Sequence, residues 1–229
     1  MLLCYRHNFL FVHIAKTGGT SVRAALAPLR RRDPWRPVLW ACSRLSALAG
    51  HRLGIKFPRH APASAAQEML PRDFYDGLFK FAFVRNPWDL QVSSWHHLRR
   101  ERPQLVAGCG DFEAFLRLKL DRRRAPQYHL DVAARPQVEY LTDRHGRVIV
   151  DFVGRYERLA PDFTDACQRI GVRPPPLPHR REATARDDYR RYYTDATAEL
   201  VARHYAADIA LFGYRFDDPG ALAAPVPAT

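Results

Sequence analysis

A single α/β domain, built on a mainly parallel sheet flanked by helices, is the fold class this chain predicts. Two apolar runs of strand type, Phe9-Leu-Phe-Val12 and Phe79-Lys-Phe-Ala-Phe-Val84, each lead through a short break into helical spacing. A length of 229 residues is enough for one such domain with a substantial core, and no second domain is needed. A 47% hydrophobic content is ordinary for a globular protein. The domain is expected over residues 1–217, with residues 218–229 as a disordered tail.

The first unit begins with the four apolar residues of Phe9–Val12, which read as a short buried strand. His13-Ile14-Ala15 follows, and then Lys16-Thr17-Gly18-Gly19-Thr20-Ser21 breaks the pattern. Residues 21–26 take up helical spacing, and the unit is expected to end near Pro28. A strand, a glycine turn and a helix together present backbone N–H groups and a helix N-terminus to a phosphate. Lys16 adds a mobile positive charge, so the segment is a candidate cradle for an anionic nucleotide. It is not a Walker A loop, in which the lysine follows the second glycine and precedes a Ser/Thr that binds magnesium. Here Lys16 precedes both glycines.

The second unit places Arg85 directly after the run Phe79–Val84. Asn86 is a good N-cap and Pro87 suits the first helical position, so a helix is expected at once, to about residue 100. Arg85 and Lys16 therefore both belong at the carboxyl ends of strands, the edge where open α/β sheets bind ligands. Ser93 and Ser94 lie about two turns into the new helix, within reach of an anion held by Arg85.

The remaining elements are less regular. Residues 30–59 are rich in arginine, proline and glycine, carry Trp35 and Trp40, and read as loop with a short helix at 43–49. A helical stripe runs over 111–118 with Asp111 near its start. Residues 137–141 lead into a turn at Asp143-Arg-His-Gly146, and 147–153 return as a strand. An amphipathic helix is expected over 163–170, closed by Gly171. Residues 174–178 form an extended proline linker, and a last helix spans 196–209. No internal repeat is present.

The net charge of +12 comes almost wholly from arginine, because the only lysines are Lys16, Lys56, Lys80 and Lys119. Such a surface attracts nucleic acid, a multiply charged nucleotide or an acidic polysaccharide alike. The sequence contains no recognisable nucleic-acid reader motif, only scattered arginines, so nucleic acid is not the expected partner. No segment approaches the ~20 continuous apolar residues of a membrane span. Met1-Leu-Leu-Cys-Tyr5 is interrupted by Arg6-His7-Asn8 and lacks the layout of a signal peptide. Cys4, Cys42, Cys109 and Cys167 are scattered without metal spacing, and four are too few for a disulfide scaffold. The expectation is a soluble cytoplasmic protein with reduced thiols.

Together the two units resemble the sulfotransferase superfamily. Lys16-Thr-Gly-Gly-Thr-Ser21 is similar to its 5′-phosphosulfate loop, and Arg85 with Ser93 to its 3′-phosphate motif of an arginine, seven residues and a serine. Asp151-Phe-Val-Gly-Arg155-Tyr-Glu157-Arg-Leu159, with Asp162-Phe163 behind it, resembles a strand-and-helix signature of the carbohydrate (family 2) branch. Phe212-Gly-Tyr214-Arg-Phe216 resembles that branch's closing pattern, so the resemblance runs over residues 9–216.

What the resemblance implies is a P-loop-like sulfotransferase fold. The implied reaction is metal-independent, in-line transfer of a sulfuryl group from 3′-phosphoadenosine-5′-phosphosulfate (PAPS) to a hydroxyl of a carbohydrate or glycosylated acceptor. The donor site would comprise Lys16, Thr17, Gly18, Gly19, Thr20, Ser21, Arg85 and Ser93, with Lys16 also catalytic. His60, some 25 residues ahead of Arg85, resembles the histidine or glutamate that serves the family as base. His13 is expected to be packed or to orient the loop, and His96 and His97 to be at the surface or facing substrate. Arg155 and Glu157 either position the nucleotide or brace the fold. The alternative is a P-loop-like nucleotide kinase or hydrolase, which requires a Walker A order and a magnesium carboxylate after a strand.

Overall fold

The computed structural model describes residues 1–33, 37–38, 40–41, 57–178, 187–217 and 226–227. Five strands form one sheet in the order β1 (Leu2–Cys4), β2 (Phe9–Val12), β3 (Phe79–Val84), β4 (Phe152–Arg155) and β5 (Val226–Pro227). The three central strands are parallel, and β1 and β5 run antiparallel along the two edges. Helix α1 (Gly19–Arg31) follows β2, and α2 (Ala63–Met69) and α3 (Arg72–Asp76) precede β3. After β3 come α4 (Pro87–Glu101), α5 (Phe112–Leu120) and the short α6 (Tyr128–Asp131). After β4 come α7 (Leu159–Ile170), α8 (Asp195–His204) and α9 (Ala206–Phe212). The chain is thus one α/β unit, as its two strand-to-helix signals predict.

Both faces of the sheet are covered, which is why the central strands read as near-continuous apolar runs, broken only by the buried Lys80 and Arg155, rather than alternating. The parallel register Phe11↔Phe81 and Phe81↔Phe152 stacks the aromatic residues on one face. There Phe9, Phe11, Phe81, Phe83 and Phe152 pack on Val22 and Leu26 of α1 and on Phe163 and Ala166 of α7. Leu10, Val12, Ala82, Val84 and Val153 point to the other face and its larger cluster, with Trp88 and Trp95 of α4 and Phe115 and Leu116 of α5. The small residues Ala82 and Gly154 alternate with large rings, so neighbouring layers interdigitate.

The element boundaries differ from the sequence expectation in several places. β1 is not foreseen, because three residues carry too little pattern. Helix α1 runs through Pro28 to Arg31, since one missing N–H costs a single bond and the Pro28 carbonyl still accepts from Arg32. The strand expected at 147–153 is β4, which starts only at Phe152. Ahead of it the Asp143 carboxylate accepts from the N–H groups of His145 and Arg147, and this turn folds the segment back into a bridge between Thr142 and Val148. Helix α7 begins at Leu159, earlier than expected, and Gly171 closes it at φ 74° in the left-handed region.

The expected helix at 196–209 is two helices parted at Tyr205, whose buried hydroxyl donates to the carbonyls of Ala133 and Ala134. Most of residues 30–59, including Trp35 and the helix expected at 43–49, lies outside the described residues. So does the tail expected at 218–229, apart from Val226 and Pro227 of β5.

Gly154 lies beside Phe83 in the register, and a Cβ there would stand 2.5 Å from the Phe83 ring and 3.0 Å from Asp162 Cβ. Gly154→Ala is therefore expected to cost about 1–3 kcal/mol through overpacking. Urea unfolding should show a lower midpoint with an unchanged slope, and Phe83→Leu in the same chain should recover part of the loss.

Candidate active site

The carboxyl ends of β2 and β3 lie side by side, and the residues that follow them meet. After β2 the chain passes through Lys16 at φ 66° and Gly18 at φ 78°, both in the left-handed region. For lysine this conformation costs on the order of 1 kcal/mol or more and persists only where neighbours hold it. Two bonds hold it here. Thr17 Oγ1 donates to the Ile14 carbonyl at 3.1 Å, and Arg85 Nη1 donates to the Lys16 carbonyl at 3.0 Å. The N–H groups of Ser21 and Val22 return to the Gly18 carbonyl. Those of Gly19 and Thr20, one step earlier, have no carbonyl of their own helix within reach and open the N-terminus of α1.

The glycines answer to close packing. A Cβ on Gly18 would stand 2.7 Å from Leu159 Cδ2, and one on Gly19 would stand 2.1 Å from His13 Cδ2. The His13 ring, only 3% exposed and expected to be packed or to orient the loop, thus lies flush against the loop backbone.

Arg85 is 5% exposed and held on every side. Its backbone N–H and C=O make a two-way pair with the Gln137 amide, both at 2.8 Å. The guanidinium donates from Nε to Asp89 Oδ2 at 2.7 Å and lies 3.8 Å over the Tyr156 ring. Asn86 caps α4 by accepting from the N–H groups of Trp88 and Asp89, while its own N–H donates to Glu157 Oε1 at 2.7 Å. The other Glu157 oxygen accepts from Tyr214 Oη, and Asn86 Nδ2 donates to the Arg215 carbonyl. Arg155 is buried, donates to the Phe212 carbonyl and lies over the Tyr214 ring. Arg155 and Glu157 therefore brace the fold, tying β4 and the closing segment to the start of α4.

His60 Nδ1 lies 2.8 Å from the His13 carbonyl, which can only accept, so Nδ1 carries the proton and Nε2 the lone pair. Its ring centre is 4.6 Å from that of His13. Burial pushes the His60 pKa down to about 4, and burial followed by the neighbouring His60 holds His13 well below the usual histidine range. Both rings are neutral at pH 7.

One cavity of about 850 Å³ gathers Lys16, Gly18, Gly19, Thr20, His60, Arg85 and Ser93. His96 and His97, expected at the surface or facing substrate, line it too. Thr17 and Ser21 do not: Thr17 is fully buried with its hydroxyl turned to Ile14, and the Ser21 N–H is spent on Gly18. Arg59, Arg100 and Arg102 add to the positive charge, and Glu101 is the one carboxylate on the wall among the described residues. The cavity is built for an anion.

Sequence reasoning missed Tyr156 and Asp89, which orient Arg85, and Lys119, buried behind the wall. Lys119 left one signal: it continues the apolar face of α5 after Phe112, Phe115 and Leu116, where a lysine is out of place.

Gly19→Ala forces the new methyl into His13, so a stability loss of about 1–3 kcal/mol is expected. Because the clash is with one ring, Gly19→Ala and His13→Ala together should cost less than their sum in a denaturation double-mutant cycle.

Comparison with known proteins agrees with this geometry. The model of the family described as "Sulfotransferase family" matches residues 1–215. An uncharacterized protein of the archaeon Archaeoglobus fulgidus is 31% identical over 134 residues, which are 57% of this chain and 98% of the relative. Among the described residues no helix is long and apolar enough to cross a membrane. With a parallel sheet whose strand ends carry Lys16 and Arg85 into one cationic cavity, and a family match over nearly its whole length, this chain belongs to the sulfotransferase family.

Proposed function

We propose that the protein transfers a sulfuryl group from PAPS to a hydroxyl of a carbohydrate or glycosylated acceptor. The observation that carries this reading is the bond from Arg85 Nη1 to the Lys16 carbonyl, which joins the two phosphate motifs in one cavity. A nucleotide bearing both a 5′- and a 3′-phosphate suits a cavity that carries both of these cations. The resemblance of residues 151–163 and 212–216 to the carbohydrate branch supports a sugar hydroxyl as acceptor.

Sulfuryl transfer is an in-line displacement close to phosphoryl transfer, and catalysis is mostly positioning and charge stabilisation. The donor's 5′-phosphate gains charge as the S–O bond to it breaks. Lys16 and the N–H groups at the start of α1 receive that charge. Arg85, stiffened by Asp89 and Tyr156, and Ser93 receive the 3′-phosphate. His60 Nε2 accepts the proton of the attacking hydroxyl, because its Nδ1–H is fixed on the His13 carbonyl. In this reading the chain's own cations carry the charge and no metal is required.

Calorimetric titration with adenosine 3′,5′-bisphosphate tests the donor: binding should be lost when the 3′-phosphate is removed, and equal binding of ATP with magnesium would favour a kinase or hydrolase instead. Arg85→Ala should weaken this binding by about 1.5–3 kcal/mol, the worth of hydrogen bonds to a charged group. Lys16→Ala should lower turnover more than product affinity, and His60→Ala should abolish turnover with nucleotide binding near normal. Acceptors are found by screening saccharides with radiolabelled PAPS.

The pH profile tests the base. His60 with a pKa of about 4 is neutral above that pH, so kcat/KM, corrected for titration of the nucleotide, should hold down to about pH 5 and fall below it. A fall centred near pH 6.5 would assign the base elsewhere.

A further inference from the structure

Behind the cavity wall runs a polar chain that the proposed function does not use. Lys119 is 1% exposed, and its Nζ lies 2.7 Å from Gln91 Oε1 and 2.9 Å from Ser94 Oγ. Chemistry orders the direction of every bond in this chain. The carbonyls of Ala133 and Ala134 can only accept, so Tyr205 Oη donates to them, at 3.1 and 2.9 Å. Tyr205 Oη then accepts from Gln91 Nε2 at 2.9 Å, which turns the amide oxygen toward Lys119. In its ammonium form Lys119 has no lone pair, so it then donates to Ser94 as well as to Gln91. Ser94 thus receives a bond and keeps its own O–H to give, and Ser94 lines the cavity beside Ser93.

We propose that Ser94 Oγ–H donates to an anionic group bound in the cavity, and that Lys119 is the positioning residue that aims this hydroxyl and backs it with a buried positive charge. The inference rests on the cavity's being an anion site, and it adds a contact that the arginine and serine motif does not contain. A neutral Lys119 has a lone pair that can accept a hydrogen bond from Ser94 Oγ–H and so turn the hydroxyl away from the cavity. Protonation of Lys119 and anion binding therefore favour each other.

The groups that face Lys119 set how strongly. Lys16 approaches from the loop, and Arg124 from the turn after α5, paired there with Asp131. His204 and Tyr205 approach from the end of α8, and α4 contributes the uncharged Gln91 and Ser94. Burial, then Lys16 and then Arg124 hold the ammonium well below the usual lysine range. An anion held by Lys16 offsets the second of these causes, so binding draws a proton into the protein.

Calorimetric titration with adenosine 3′,5′-bisphosphate at pH 8, in buffers of different ionisation heat, tests the relay. The native protein should take up protons on binding. Ser94→Ala should weaken binding about ten- to hundredfold, the worth of a hydrogen bond to a charged group, and Ser94→Thr should recover most of it. Lys119→Met should weaken binding similarly and abolish the proton uptake, and the pair of substitutions should cost little more than either alone. Native affinity in Ser94→Ala overturns the proposal, as does undiminished proton uptake in Lys119→Met; the Ser94 variants decide it should Lys119→Met not fold. If the native protein binds pyrophosphate but not the nucleotide, the donor reading fails and the same variants titrated with pyrophosphate decide the relay. Binding of neither anion overturns both.

Discussion

The contact of Arg85 with the Lys16 carbonyl is the interaction on which the site depends. It holds a lysine in the left-handed region, and that conformation turns the chain from β2 into α1. The same guanidinium is clamped by Asp89 and stacked on Tyr156, so it reaches the loop in one fixed pose. A strained residue and a desolvated cation are each unfavourable alone. Together they offset part of one another's cost and leave a cationic cavity whose wall is stiff before any ligand arrives.

Around this contact the protein spends its buried polar groups on holding strand ends. Gln137 pairs with the Arg85 backbone and is itself held by Asp208, whose carboxylate accepts from the N–H groups of Gln137 and Val138. Burial raises the Asp208 pKa to about 6 against those bonds. Glu157 joins the Asn86 N–H to Tyr214, so the closing segment is locked to the start of α4. Each of these residues is distant in sequence from its partner. None lines the cavity, yet each removes a freedom that Arg85 would otherwise have.

The parts of this protein legible in its sequence are those written in local pattern. Apolar runs at Phe9–Val12 and Phe79–Val84, the Asn86-Pro87 helix start, the Asp111 cap and the Gly171 stop all occur where short-range sterics and capping place them. The boundaries that were not legible were set by remote partners. Tyr205 breaks the last helix because its hydroxyl is anchored across the fold, and residues 147–149 fold back on 141–143 because Asp143 accepts from the Arg147 N–H and Leu141 from that of Ile149. The Thr17 hydroxyl, which no local pattern places, bonds the Ile14 carbonyl inside the turn.

The sequence by itself determined the strands β2 and β3, the glycine loop and the two strand-end cations, because strand periodicity, backbone freedom and capping act within a few residues. Only the tertiary structure decided which side chains face the cavity and in what charge state. His60 loses basicity through burial, Lys119 lies behind Ser94, and Arg85 stacks on Tyr156. Such properties depend on desolvation and on partners brought together from distant parts of the chain, and no local pattern encodes either.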